Sequence, residues 1–194
     1  MKKQILSILL AACMLLTMIP VTVMAEATEI MVDGISYQLN STDLQSAIDS
    51  AGNGDTVRLG GNINLVNDGV TVSSDTEKSI ILDLNGYTIT YSGSDSAVKI
   101  SDSASLTVQD SSTGGTTGKI TSAANCRIIK NTGSGTLTFA GGIIEGTGSN
   151  TLAIANEGPG KLFITGGTVQ TSNMYAMLIG NNSGDVEISG GTVS

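Results

Sequence analysis

Gly135-Thr-Leu-Thr-Phe-Ala-Gly-Gly-Ile-Ile144 is followed by Gly160-Lys-Leu-Phe-Ile-Thr-Gly-Gly-Thr-Val169 and then by Gly184-Asp-Val-Glu-Ile-Ser-Gly-Gly-Thr-Val193. The three segments carry a Gly-Gly pair at the same place, and their starts are 25 and 24 residues apart. A nearly constant period of this length predicts a repeat protein in which each copy is one structural unit stacked on its neighbour.

Aligning the chain on these segments gives three apolar columns that recur once per period. The first is Leu84, Val108, Phe139, Ile164 and Ile188, the second is Ile89, Ile120, Ile144, Val169 and Val193, and the third is Ile129, Ile154 and Ile179. Three strand positions per period predict a three-sided coil of parallel strands, with adjacent rungs about 4.8 Å apart. We therefore predict an all-β fold, a single-stranded parallel β-helix of about five rungs with stacked Ile and Val inside.

Two of the columns contain one irregular step of 31 residues, which an insertion between Val108 and Ile120 accounts for. The inserted segment, Gln109–Gly118, is polar and rich in Gly, so we predict a surface loop. Insertions on one face of a solenoid often carry binding, which makes Asp110 a candidate ligand contact. The alternative is a loop without function.

Glycine and asparagine recur at the predicted bends. The Gly pairs at 141–142, 166–167 and 190–191 are expected where a side chain would crowd the neighbouring rung. Asn131, Asn156 and Asn181 each follow the third strand, and Asn fits such turns because it tolerates left-handed backbone and bonds its own chain. Their stacking looks like the asparagine ladder of β-helices, which is a structural role.

The first 25 residues have the features of a secretory signal peptide. Lys2 and Lys3 precede an apolar run, and Val23-Met-Ala25 is a small-residue cleavage site. A lipid anchor on Cys13 is disfavoured because the chain stays apolar well beyond it. We predict a secreted or cell-surface protein cleaved after Ala25, with a lead-in strand and linker at 26–41.

One amphipathic helix is predicted at 42–52. Thr42 is the expected N-cap, since Gln45 stands at the spacing of a capping box. Apolar residues fall on one face at helical spacing, and Gly52 is the expected end. A helix of this length is not stable alone in water, so we expect it to cap the first rung of a β-helix spanning 53–194.

Three segments near the N-terminus resemble a known family. They are Thr42-Asp-Leu-Gln-Ser-Ala-Ile-Asp-Ser-Ala51, Gly54-Asp-Thr-Val-Arg-Leu59 and Leu82-Asp-Leu-Asn-Gly-Tyr-Thr-Ile89. Together they are similar to the start of pectate-lyase-like, right-handed parallel β-helix proteins, and the resemblance extends over about 42–194. It implies the handedness, the capping helix and the fold. Activity does not follow, because that superfamily includes lyases, hydrolases and adhesins.

A polar row is predicted beside the second column, on the outer face of its strands. Its members are Thr90, Thr121, Glu145, Gln170 and Ser194. A polysaccharide could lie along such a row, so Thr121, Glu145 and Gln170 are candidate ligand contacts. Phe163, expected to face outward, and Tyr175 are the aromatic candidates.

Catalytic chemistry has little support in the sequence. The chain has no His, so triads, the usual zinc sites and the commonest general base are excluded. Glu145 has no aligned acidic partner such as a glycosidase needs, and Asp83 and Asp110 are expected to be solvated surface acids. The calcium-binding aspartates that the resemblance to lyases would imply have no counterpart on adjacent rungs. Arg127-Ile-Ile-Lys130 is only superficially similar to an Arg-Ile-Lys motif of polygalacturonase-like members.

The sequence therefore predicts no catalytic residue, metal or cofactor, although it leaves enzymatic activity open. The net charge of −8 argues against nucleic acid, and no nucleotide-binding loop is present. Cys126 is expected to be a small buried residue. The expected partner is a polysaccharide or a cell-surface glycan.

The favoured hypothesis is a non-catalytic extracellular β-helix module, adhesin-like or polysaccharide-contacting. The alternatives are the N-terminal part of a polysaccharide lyase or glycoside hydrolase, and a structural spacer of a larger surface protein. Because Ser194 falls within a rung, we expect a truncated β-helix, with end-to-end self-association through its last rung as the alternative.

Overall fold

The computed structural model describes residues 28–172, 175–180 and 183–194. These residues form a parallel β-solenoid of about five turns, which confirms the predicted fold class. The predicted signal peptide and Cys13 lie outside the described residues. No helix in the described part of the chain is long and apolar enough to cross a membrane.

Three parallel sheets form the sides of the solenoid, and each turn contributes one strand to each. The first sheet contains β3 (Thr56–Arg58), β6 (Ser79–Asp83), β9 (Ser105–Gln109), β12 (Leu137–Phe139), β15 (Leu162–Ile164) and β18 (Val186–Ile188). The second contains β4 (Ile63–Leu65), β7 (Thr88–Tyr91), β10 (Lys119–Ser122), β13 (Ile143–Gly146), β16 (Thr168–Thr171) and β19 (Thr192–Val193). The third contains β5 (Val70–Ser74), β8 (Ser96–Asp102), β11 (Arg127–Asn131), β14 (Leu152–Asn156) and β17 (Met177–Ile179).

The strand register confirms the second predicted column throughout. Ile120 pairs with Ile89 and Ile144, and Val169 pairs with Ile144 and Val193. Their side chains alternate with outward residues, and all but the last are buried. Stacked β-branched side chains thus form one wall of the core, as the period predicted.

The other two columns each contain one wrong member. In the first, Leu82 rather than Leu84 pairs with Val108. Both leucines are buried and lie two residues apart, so alternation alone does not distinguish them. In the third, Met177 rather than Ile179 pairs with Ile154, because the coil between β14 and β17 is two residues shorter than the predicted period.

A hairpin and one helix cover the N-terminal end of the solenoid. β1 (Ile30–Val32) and β2 (Ile35–Tyr37) pair antiparallel, and β1 also pairs antiparallel with β3. Helix α1 (Ser41–Ser50) packs on β1, β2, β4 and β5 through the buried side chains of Leu44, Ala47 and Ile48. The hairpin and the helix therefore protect the edge and the interior of the first turn.

The N-cap of α1 is Asn40, not the predicted Thr42. Asn40 has an extended backbone, and its side-chain oxygen accepts from the Asp43 N–H at 2.9 Å. Gln45, expected in a capping box, instead bonds to β5. Its amide donates to the Thr71 carbonyl at 2.9 Å and accepts from the Thr71 N–H at 2.7 Å, which attaches the helix to the solenoid.

The corner between the first and second sheets requires glycine. Gly142 and Gly167 have φ of 89° and 74°, where other residues are strained. A Cβ on Gly142 would lie 2.9 Å from the Gly118 carbonyl oxygen of the preceding turn. The repeated Gly-Gly pairs are therefore explained by backbone conformation and by close stacking.

Candidate functional site

The predicted polar row forms on the outer face of the second sheet. Thr121 pairs with Thr90 and Glu145, and Glu145 pairs with Gln170. Ser194 follows β19 and donates its N–H to the Val169 carbonyl at 2.9 Å. The row therefore consists of hydrogen-bonding side chains from successive turns, one strand spacing apart.

Glu145 is the hydrogen-bonding centre of this row. Its Oε2 accepts from Lys119 Nζ at 2.9 Å, and its Oε1 accepts from Gln170 Nε2 at 2.7 Å. The hydrogen bond from Lys119 lowers the pKa of Glu145, and those from Gln170 and Thr121 act in the same direction. The carboxylate is thus held ionised, which suits an acceptor or an ion-pair partner and not a general acid.

The two aromatic candidates lie away from the row. Phe163 is half-buried on the outer face of the first sheet, where it pairs with Thr138 and Glu187. Tyr175 is 63% exposed and precedes β17 of the third sheet. The solenoid therefore places Phe163 on a different sheet from the polar row and Tyr175 in the segment before the third sheet.

The inserted loop is held by two carboxylates, one of them contrary to the prediction. Asp83 is only 3% exposed, so it is not a solvated surface acid. Its Oδ1 accepts from Ser111 N at 2.9 Å and from Asn85 N at 3.1 Å, and its Oδ2 accepts from Ser111 Oγ at 2.6 Å. Asp83 is buried because the loop folds back over the outer face of β6.

Asp110, the candidate ligand contact in this loop, is also engaged by the chain. Its Oδ1 accepts from Gly86 N at 2.7 Å, and its Oδ2 accepts from Gly118 N at 2.8 Å. Gly118 is the last residue of the loop, so this carboxylate joins both ends of the loop to the turn below. The geometry gives Asp110 a positioning role within the loop.

A cleft of about 820 Å³ lies at the corner of the first and second sheets, beside the inserted loop. We call it the corner cleft. Its walls come from four segments: β1, the bend after β3, the bend after β6, and the loop itself. The polar and aromatic side chains that line the cleft include those of Glu29, Arg58, Asn62, Tyr87, Thr113 and Thr116.

Arg58 and Asn85 connect the walls of the corner cleft. Arg58 Nη2 donates to Asn85 Oδ1 at 2.7 Å, and Arg58 Nε lies 3.6 Å from Asp83 Oδ2. Asn85 Nδ2 donates to the Leu59 carbonyl at 2.9 Å. Sequence reasoning missed this site, because its residues come from separate turns and only the strand register brings them together. The pairing of Arg58 with Asp83 in one column was the signal available.

The asparagine positions agree with a structural role. Asn131 and Asn156 pair in register and are buried. Each amide donates to the carbonyl four residues ahead, Asn131 to Gly135 at 3.2 Å and Asn156 to Gly160 at 2.8 Å. Asn181 lies outside the described residues.

The residues of Arg127-Ile-Ile-Lys130 form ion pairs on the third sheet. Arg127 Nε lies 2.9 Å from Glu157 Oε1, and Lys130 Nζ lies 3.2 Å from Asp95 Oδ1. Cys126 is buried beside them, and burial raises the pKa of its thiol. These ion pairs lie on the outer face of the third sheet, and the Arg127 guanidinium is paired with the Glu157 carboxylate.

Within the described ranges, no group of three or more His, Cys, Asp or Glu side chains could hold a metal ion. No family model, curated protein or solved structure matches this chain.

Proposed function

We propose that this chain is a non-catalytic extracellular β-helix module that contacts a polysaccharide along the polar row of the second sheet. The signal-peptide features of residues 1–25 support secretion or display at the cell surface. The segments 42–51, 54–59 and 82–89 support a place among pectate-lyase-like β-helix proteins. The Gly-Gly bends and the parallel pairing of the second sheet, which continues after the inserted loop, support a rigid binding surface.

The observation that carries the proposal is the environment of Glu145. Its strand neighbours across the row are Thr121 and Gln170, and both of its oxygens accept hydrogen bonds. Glycoside hydrolysis generally needs two carboxyl groups on either side of the scissile bond. A single ionised carboxylate flanked by an amine, an amide and a hydroxyl is instead suited to hydrogen-bonding sugar hydroxyl groups.

The row also suits an extended ligand. Hydrogen-bonding side chains repeat at the strand spacing of about 4.8 Å along the solenoid axis. The strands beneath them are fixed by the parallel ladder, so the ligand-facing groups are ordered before binding. An unbranched polysaccharide could thus make similar contacts on successive turns.

Binding is tested with the secreted form of the chain on immobilised neutral and acidic polysaccharides. Gln170→Ala removes an amide of the row, and we expect the dissociation constant to rise about 3- to 10-fold, the value of one hydrogen bond. Thr121→Val removes a hydroxyl with little change in shape. Thr107→Val is the matched control, because Thr107 occupies an outer position of the first sheet.

The same preparations are tested for reducing ends and unsaturated products, with and without calcium. We expect no turnover. Turnover that Glu145→Gln or Asp110→Asn abolishes would refute the proposal and favour the lyase or hydrolase hypothesis. Absence of binding to every glycan would favour the structural spacer.

A further inference from the structure

The corner cleft lies where the inserted loop folds over the corner between the first and second sheets. At the three turns that follow the insertion, the bend is a short Gly-Gly segment without an added loop. At the first two turns, β1, Arg58, Tyr87 and the inserted loop surround the bend. The result is a cleft of about 820 Å³ that is lined by Tyr87, the residue before the start of β7.

The wall made by the inserted loop is held by hydrogen bonds within the chain. Asp83 and Asp110 together accept bonds from both ends of the loop, and Ser112 Oγ donates to the Thr116 carbonyl at 2.6 Å. Arg58 and Asn85 hold the opposite wall to the Leu59 carbonyl. Little ordering is therefore required on binding, and this favours affinity.

Several polar groups that line the cleft have no hydrogen-bond partner among the described residues. Asn62 Oδ1 accepts from Thr88 N at 2.8 Å, but its Nδ2 makes no such bond. The hydroxyl groups of Thr113 and Thr116 are also without partners in the described part of the chain. One amide donor and two hydroxyl groups, each able to donate or accept, thus converge on the same space.

Tyr87 gives the cleft its apolar surface. Its side chain packs partly against the core and also lines the cleft. An aromatic side chain beside unpaired amide and hydroxyl groups fits the two kinds of surface on a sugar ring, the C–H face and the hydroxyl edge.

We propose that the corner cleft is a second saccharide subsite that takes one uncharged sugar ring against Tyr87. This inference rests on the proposed function, since it extends the ligand of the polar row to a further site. The continuity is structural: Tyr87 directly precedes β7, and Thr90 of the row lies on the same strand. A polysaccharide in the cleft can therefore continue onto the second sheet.

The charges of the cleft select against an acidic sugar. The Arg58 guanidinium already faces the Asp83 carboxylate, and Glu29 also lines the cleft. A uronate would bring a further carboxylate next to Glu29, and the Arg58 guanidinium is already shared between Asp83 and Asn85. Like charges at short range are unfavourable, whereas neutral hydroxyl groups meet no such repulsion.

The test uses the secreted form with cellohexaose, xylohexaose, mannohexaose and maltohexaose, and with hexagalacturonate as the charged probe, by isothermal titration calorimetry. Thr116→Val should weaken binding of a neutral hexasaccharide about 3- to 10-fold by removing one hydroxyl. Thr117→Val is the matched control, because Thr117 is exposed in the same loop but does not line the cleft. Asn62→Asp keeps the Oδ1 atom that accepts from Thr88 N but removes the Nδ2 donor, and it should weaken binding by a similar factor.

Tyr87→Ala should reduce affinity by about tenfold or more, and Tyr87→Phe should retain most of it. Thermal melts identify any variant that fails to fold, in which case Thr116→Val and Asn62→Asp carry the test.

If these cleft variants bind like the parent while Gln170→Ala binds more weakly, the cleft inference is wrong and the proposed function stands. If no hexasaccharide binds, both are wrong. Tighter binding of hexagalacturonate than of every neutral probe would overturn the assignment of an uncharged ring.

Discussion

Replacement of Asp83 by Ala should release the inserted loop from the solenoid. The carboxylate is 3% exposed and accepts three hydrogen bonds, two from Ser111 and one from Asn85. Hydrogen bonds to a charged group each contribute about 1.5–3 kcal/mol. Because the loop is exposed and its freed donors can reach water, we expect a total loss of about 2–4 kcal/mol.

Two measurements check this expectation. Urea unfolding gives the loss of unfolding free energy, and hydrogen exchange reports whether the amides of residues 110–118 lose protection. Asp75→Ala is the control, because Asp75 is an exposed acid with no hydrogen bond or ion pair among the described residues. Asp83→Asn should be milder, since its remaining oxygen still accepts from the two backbone amides.

Unfolding of Asp83→Ala at the urea concentration of the parent, with its loop equally protected from exchange, would contradict this role of Asp83. That result would mean that the hydrogen bonds to Asp83 do not hold the loop. A loss of stability without any change in loop exchange would instead place the effect in β6 and contradict the role given to the carboxylate.

Three further predictions concern the core, the polar row and the thiol. In urea titrations, Ile164→Asp should lower the unfolding free energy by more than about 4 kcal/mol, because it buries an unpaired charge. Ile188 lies in the same column but is 53% exposed, so Ile188→Asp should lower the unfolding free energy by less than about 1 kcal/mol. The pKa of Glu145 is lower in the folded protein than in the unfolded chain, so the ionised carboxylate stabilises the fold. This contribution is fully present above the unfolded pKa of about 4.3 and is lost as the pH falls through the folded-state pKa. The difference in unfolding free energy between the parent and Glu145→Gln should therefore be constant above about pH 5 and shrink below it; a constant difference down to pH 3 would contradict this. The Cys126 thiol, with its raised pKa, should react with Ellman's reagent only after unfolding, and rapid reaction of the folded protein would contradict its burial.

The sequence predicted the fold because the period is repeated and its corners are chemically distinctive. The Gly-Gly pairs mark the start of β13, β16 and β19 in the second sheet, and every predicted member of that column was right. Leu82 and Leu84 show the limit of such reasoning. Both face the core, and only the ladder of hydrogen bonds decides that Leu82 pairs with Val108.

The candidate site was predicted less completely, for reasons of register and loop geometry. The polar row was found because its members share one column. The corner cleft was missed because Arg58, Asn62 and Tyr87 occupy different positions in different turns, and the fourth wall is an insertion without a counterpart. Asp83 was misjudged as a solvated acid because no pattern predicts that a loop will fold over it.

The inserted loop leaves the repeat on both sides of it unchanged. β9 stays paired with β12 after the extra residues, and Ile120 still pairs with Ile89 and Ile144. The corner between the first and second sheets can therefore take in a segment of new length while the parallel ladder continues undisturbed. This makes the exposed tip Thr113–Gly115, between the residues that hold the loop, a natural position for grafting foreign peptides.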